Sequence, residues 1–101
     1  VFSVDVNRCL DAPGYVIDNT LKGVDAALLN SVDAIMSGAK SSVSAVGLKE
    51  GGMSVIALDE DSLADSKCLI ADYPDVVSKV KEVAATIIDG SLTLPDPMFA
   101  Q

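Results

Sequence analysis

The sequence predicts a small α/β domain, and three observations carry that prediction. The chain opens on a short apolar run, Val1-Phe2-Ser3-Val4-Asp5, of strand length. Apolar residues then recur at helical spacing, at Ile17, Leu21, Val24, Leu28, Val32 and Ile35. A second such stripe, Val76, Val80, Val83 and Ile87, follows another strand candidate at residues 53–58. Strand and helix patterns that alternate along a chain point to the α/β class.

At 101 residues the chain is at most one domain. A chain this short keeps a large share of its surface wet. Half of it is hydrophobic but only 4% is aromatic, a mix that suits strands packed by helices rather than an aromatic recognition surface. The net charge of −8 argues against nucleic-acid binding, which needs a basic face. It also disfavours an anionic membrane surface. No segment reads as a signal peptide, and no apolar run is long enough to span a bilayer. The chain starts without Met and directly in a strand, so a fragment of a longer protein is the expectation.

The first strand ends near Asp5, and residues 7–14 form a polar connection containing Pro13. Asp11 is placed to cap a helix with Pro13 in its first turn. The stripe from Ile17 to Ile35 then defines one long amphipathic helix, which Gly38 ends. Lys49-Glu50-Gly51-Gly52 reads as a turn, because paired glycines supply positive φ at little cost. It would join strands at residues 43–48 and 53–58 into a hairpin. Residues 59–65 carry four acids and read as a solvated loop or the first turn of a short helix. Asp72 and Pro74 open a second long helix, buried through Val76, Val80, Val83 and Ile87 and supported by Val77, Ala84 and Ile88; Gly90 ends it. Residues 91–94 alternate like a short edge strand, stopped by Pro95 and Pro97.

A sheet of so few strands with two one-sided helices leaves apolar surface uncovered, which normally marks an interface. More of the same polypeptide, or a second copy of the chain, would cover it.

Little in the chain looks like chemistry. Without His there is no Ser/His/Asp or Cys/His arrangement and no mixed Cys/His zinc site. Cys9 and Cys68 read as two isolated thiols, since buried free cysteine is common, although the sequence leaves a disulfide between them open. The Gly51-Gly52 segment lacks the spacing and terminal Lys-Ser/Thr of a phosphate loop. Asp59, Glu60, Asp61 and Asp65 lack the spacing and central Gly of a calcium loop. No cofactor and no metal are implied, and the chain does not read as an enzyme.

Asp5 and Lys22 stand out. Asp5 ends a strand, and Lys22 lies seventeen residues on, at the edge of the predicted buried stripe. An acid and a base of this kind can meet at the carboxyl edge of an α/β sheet, where ligands bind in open folds.

Three segments resemble a known family. They are Ser3-Val4-Asp5-Val6-Asn7, Ala12-Pro13-Gly14-Tyr15-Val16-Ile17 and Leu21-Lys22-Gly23-Val24-Asp25-Ala26-Ala27. Their order resembles the C-terminal part of the basic membrane lipoprotein (BMP, PnrA-like) family, substrate-binding proteins of ABC transporters. Val46-Gly47-Leu48-Lys49-Glu50-Gly51-Gly52-Met53 and the Ile87-Ile88-Asp89-Gly90 end of the last helix resemble later family segments. Ser3 and Asn19 stand where the family has Gly and Ser, and residues 58–72 look longer and more acidic than usual. The resemblance implies a partial periplasmic-binding-protein-like (type I) fold: residues 1–101 would be the C-terminal portion of a two-lobed domain. It implies a purine nucleoside between the lobes, with its ribose hydroxyls on Asp5 and Lys22, Asn7 close by and Asn19 a further candidate. It also implies an ABC permease as partner of the intact protein, an N-terminal remainder, and a lipid-anchored, extracytoplasmic location.

Overall fold

A computed structural model describes residues 1–40 and 44–95. It is mixed α/β. The elements are β1 (Phe2–Asp5), β2 (Asp18–Lys22), α1 (Val24–Met36), β3 (Met53–Val55), α2 (Glu60–Ser66) and α3 (Pro74–Ile88). Short 3-10 turns cover Ile56–Leu58 and Leu69–Asp72. The sheet order is β1-β2-β3, with β1 parallel and β3 antiparallel to β2.

The largest departure from expectation falls at Asp18–Lys22, which form a central strand and not part of the long helix. Ile17 and Leu21 are four apart, a spacing that fits one helix face and equally one sheet face. Thr20 and Gly23 disfavour helix at this point, the first by χ1 stiffness and the second by backbone entropy. Asp11 and Pro13 therefore open no helix. They lie in a turn-rich connection, where Arg8 Nη1 meets the Asp11 carboxylate at 3.3 Å. The twelve residues 6–17 are long enough for a parallel crossover without a helix.

α1 starts only after Gly23, whose backbone crosses the Gly51–Gly52 turn. Gly23 N–H donates to Gly52 O at 2.9 Å, and a Cβ at Gly23 would overlap Gly51 O. The helix ends as expected. Gly38 takes φ +99°, its N–H reaches Ile35 O, and Ala39 N–H reaches Ala34 O, the paired bonds of a Schellman motif.

The 49–52 turn forms, with Gly51 at φ +72°. The hairpin it was expected to close does not. Residues 44–47 form no strand, because Gly47 O accepts from both Gly52 and Met53 and closes a loop instead of a ladder. Val43, at the start of that expected strand, lies outside the described residues. β3 pairs instead with β2, and it stops at Val55 because the next two N–H groups turn toward Asp18.

The acidic 59–65 stretch takes the helical option. Asp59 caps α2, its Oδ1 accepting from Asp61 and Ser62 N–H. α3 starts with Pro74 at its first position, but Asp72 ends the preceding 3-10 turn and caps nothing. The buried seam of α3 is also rotated from expectation: Val77 and Ala84 are enclosed, while Val76 and Val83 stay exposed. Residues 91–94 are not a strand. Ser91 N–H turns back to Asp89 Oδ1 and Leu92 N–H to Thr86 O, so the chain wraps onto the end of α3.

The core is small: Val16, Ile56, Ala57, Ile70 and Val77, with Cys9 and Cys68 among them. Those two cysteines form a disulfide, correcting the reading as isolated thiols. α1 contributes no buried side chain. Ala27, Asn30, Ser31, Ala34 and Ile35 line the hollow toward residues 44–50, and Leu28, Leu29 and Val32 face solvent. This inverts the usual amphipathic arrangement. The radius of gyration, 15.7 Å, exceeds the roughly 13 Å of a compact chain of this length.

Candidate functional site

β1 and β2 run parallel, and in that register Asp5 lies opposite Leu21. Asp5 and Lys22 therefore end up side by side at the carboxyl edge of adjacent strands. Lys22 Nζ and Asp5 Oδ1 are 2.6 Å apart, with side chains 53% and 60% exposed. The pair meets as the sequence suggested, but by a different route: Lys22 ends a strand and is not on a helix.

Asp5 has φ +77°, in the left-handed region that side chains seldom adopt. Val6 N–H donates to Val4 O at 3.0 Å, closing a three-residue turn centred on Asp5. Aspartate tolerates this backbone better than most residues. The turn sends the chain away from the sheet and leaves the carboxylate beside Lys22. Chemically the pair offers an acceptor and a charged donor side by side, open to water. An exposed ion pair contributes little to stability, so hydroxyls of a ligand can replace it at small cost.

Asn7 and Asn19 belong to a second constellation. Asn19 is fully enclosed, at 0% exposure. Its Oδ1 accepts from Arg8 N–H at 3.0 Å, and its Nδ2 faces Cys9 Sγ at 3.0 Å and Cys68 Sγ at 3.6 Å. Asn7 Oδ1 accepts from Cys9 N–H at 3.0 Å and Asn19 Nδ2 at 3.4 Å. Both amides hold the β1–β2 connection against the disulfide, and Asn19 has no polar atom left to offer a ligand.

Sequence reasoning missed Asp18. It is 1% exposed, and its carboxyl group accepts three backbone N–H bonds: Asn19 at 2.6 Å, Ile56 at 2.9 Å and Ala57 at 3.2 Å. It ties β2 to the 3-10 turn after β3. Nothing local marked it, since Asp18 opens the polar run Asp18-Asn19-Thr20 beside the apolar stripe.

Two of the hollows formed by the described residues lie elsewhere. One, of about 650 Å³, separates α1 from residues 44–50, and neither Asp5 nor Lys22 lines it. The other is an apolar groove of about 340 Å³ along α3, lined by Leu48, Val55, Leu58, Val76, Val80 and Val83 among others.

Three surface carboxylates are held below their ordinary range. The Ser62 hydroxyl and N–H, with Asp61 N–H, lower Asp59. Lys81, 2.6 Å away, lowers Glu60 by hydrogen bond and charge and links α2 to α3. Ser91 lowers Asp89 at the end of α3. These are capping and tethering contacts, separate from the strand-edge pair. No known protein family, curated protein or solved structure matches the chain.

Proposed function

We propose that this chain is the C-terminal, non-catalytic portion of an ABC-transporter solute-binding lipoprotein of the BMP (PnrA-like) type, and that Asp5 and Lys22 bind the ribose hydroxyls of a purine nucleoside. The observation that carries the reading is the 2.6 Å Asp5–Lys22 pair at the carboxyl edge of two parallel strands. A carboxylate accepts from two vicinal hydroxyls, and the neighbouring ammonium donates to the same oxygens.

Two further observations support the setting. A parallel strand pair normally lies inside a sheet covered on both faces, yet the side chains of Phe2 and Val4 on β1 are exposed. The outward face of α1 and the groove along α3 are also uncovered. The rest of a two-lobed type I periplasmic-binding-protein fold would supply that cover and the opposite wall of the cleft. A buried disulfide suits an oxidising compartment, hence an extracytoplasmic protein. The lipid anchor, the permease partner and lobe closure around the ligand belong to the intact protein in this reading.

The test is a nucleoside titration of the isolated chain, followed by backbone amide spectra. Shifts confined to Asp5, Val6, Lys22 and Gly23 at millimolar nucleoside, and lost in Asp5→Asn and Lys22→Met, support the site. No shift at these amides sinks it. Micromolar binding by this chain alone sinks the corollary that it lacks half the cleft. A second reading, a self-contained interaction module, rests on the uncovered α1 face. It expects a defined oligomer by light scattering and no response to nucleoside.

A further inference from the structure

We propose that the Cys9–Cys68 bond is the switch on which this fold depends: the oxidised chain is folded, and the reduced chain is not. The inference goes beyond the ligand reading and is independent of it. It starts from where the bond lies. Cys9 is 0% exposed and Cys68 2% exposed, so the bond sits in the core and not on the surface. It joins the β1–β2 connection to the start of the Leu69–Asp72 turn, 59 residues away in sequence.

Very little else does this work. Among the described residues, the fully buried apolar cluster without the two cysteines is Val16, Ile56, Ala57, Ile70 and Val77, with Ala12, Leu21, Val55, Leu63 and Val80 only partly buried against it and Ala84 buried apart from it. α1, thirteen residues long, adds no buried side chain. Small domains with cores this thin usually rely on a covalent staple. Closing a loop of this span shifts the folding equilibrium by about a thousandfold in the chain-entropy account. The backbone bonds Leu69 N–H to Val16 O and Ile70 N–H to Ile17 O flank the disulfide, so opening it frees the same seam they stitch.

Formation is a two-electron oxidation with a disulfide, RSSR, as oxidant. One cysteine thiolate attacks a sulfur of RSSR, forming a mixed disulfide and releasing RS⁻. The other cysteine thiolate attacks the protein sulfur of that mixed disulfide and releases the second RS⁻. The two protein thiols lose two protons and two electrons, and RSSR becomes two RSH. A reducing cytosol keeps the chain open, and an oxidising compartment closes it.

The experiment is a redox titration of the full chain with reduced and oxidised glutathione, in buffer and in concentrated urea, with circular dichroism followed in parallel. Since the disulfide favours the fold, the fold favours the disulfide by the same factor. With the reduced chain unfolded in both solvents, the equilibrium constant for closure should fall in urea by the folding constant of the oxidised chain, which the chain-entropy factor caps at about a thousandfold, or about 90 mV. In buffer, loss of helical signal should track reduction, and oxidised glutathione should restore it. Cys9→Ala/Cys68→Ala in non-reducing buffer should resemble the reduced wild type. Equal closure constants in buffer and urea, a cooperative melt of the reduced chain, or a folded double variant each overturn the proposal. So does an oxidised chain with no cooperative transition. No arm involves a nucleoside, so failure here leaves the ligand reading standing.

Discussion

Replacing Asp18 by Asn tests whether a buried carboxyl group, and not apolar packing, holds β2 to the turn after β3. The carboxyl accepts from Asn19 and Ile56 N–H through Oδ1 and from Ala57 N–H through Oδ2. Asparagine keeps one oxygen, which can stay with Asn19 and Ile56. Its amide nitrogen then points a donor at the Ala57 N–H. Ala57 is 0% exposed, so water cannot take over. A buried donor left without a partner costs about 1–3 kcal/mol, and the opposed donors push toward the upper half of that range. We expect about 2 kcal/mol for Asp18→Asn, and for Asp18→Ala, which strands all three donors, about 3–5 kcal/mol. The Asn variant should therefore unfold at urea lower by about 1–2 M with unchanged slope. The assay is urea unfolding of the disulfide-intact chain, with amide exchange at Ile56 and Ala57 as a local readout. A midpoint unchanged within error, with Ala57 still protected, would refute the reasoning.

Other outcomes follow from the same geometry. Gly23→Ala drives a methyl into Gly51 O and should cost about 1–3 kcal/mol by thermal melting. Asp5→Gly removes strain at φ +77° and should match or exceed wild-type stability, whereas Asp5→Ala should lie about 1 kcal/mol below the Gly variant; equal melts would discount that strain. The Asp59 carboxylate, lowered chiefly by the Ser62 hydroxyl, supports α2 fully above its unfolded pKa near 3.8. That support is lost as pH falls through the lower folded value, so acid should expose the Ser62 and Leu63 amides to exchange, and Asp59→Asn should flatten this pH dependence. Leu28→Gln on the outward face of α1 should leave the stability from urea unfolding within about 0.5 kcal/mol of wild type, since the side chain is largely exposed.

Much of the fold was legible where a local rule acts alone. Gly38 and Gly90 take positive φ just past α1 and α3, Pro74 starts α3, and Asp59 caps α2, each through chemistry confined to a few residues. The errors came where a local pattern had two readings. Ile17 and Leu21 satisfy both helix and strand periodicity, and the outcome is set by what Asp18 and Asn19 meet from distant segments. Asp18 meets Ile56 and Ala57, and Asn19 meets the Cys9–Cys68 sulfurs. Those partners lie ten to forty-nine residues away, and no periodicity along the chain marks them. The cysteine pairing was illegible for the same reason, because a separation of 59 residues carries no local signature.

The candidate site shows how a correct pairing can follow from an incorrect element. Seventeen residues separate Asp5 from Lys22, and the sequence reading carried them to one edge by a strand and a helix. The parallel register of β1 and β2 does it with two strands, which fixes the pair more tightly because both backbones are hydrogen-bonded to each other. Asn7 and Asn19 lost their expected place by the same step. Once residue 19 is on the central strand, it lies near the start of β2, away from the carboxyl edge, and its side chain is enclosed against the disulfide. α1 extends the lesson. Its stripe of Val24, Leu28, Val32 and Ile35 is real as a periodicity, yet it identifies the face to be covered and not what covers it. Here the small residues Ala27, Ser31 and Ala34 turn toward the chain, Ile35 with them, while Val24, Leu28 and Val32 stay exposed. A helix in that orientation contributes little to the stability of this chain. It is therefore the element whose amide exchange should slow most when its true neighbour binds, whether that neighbour is the proposed remainder of the protein or another copy.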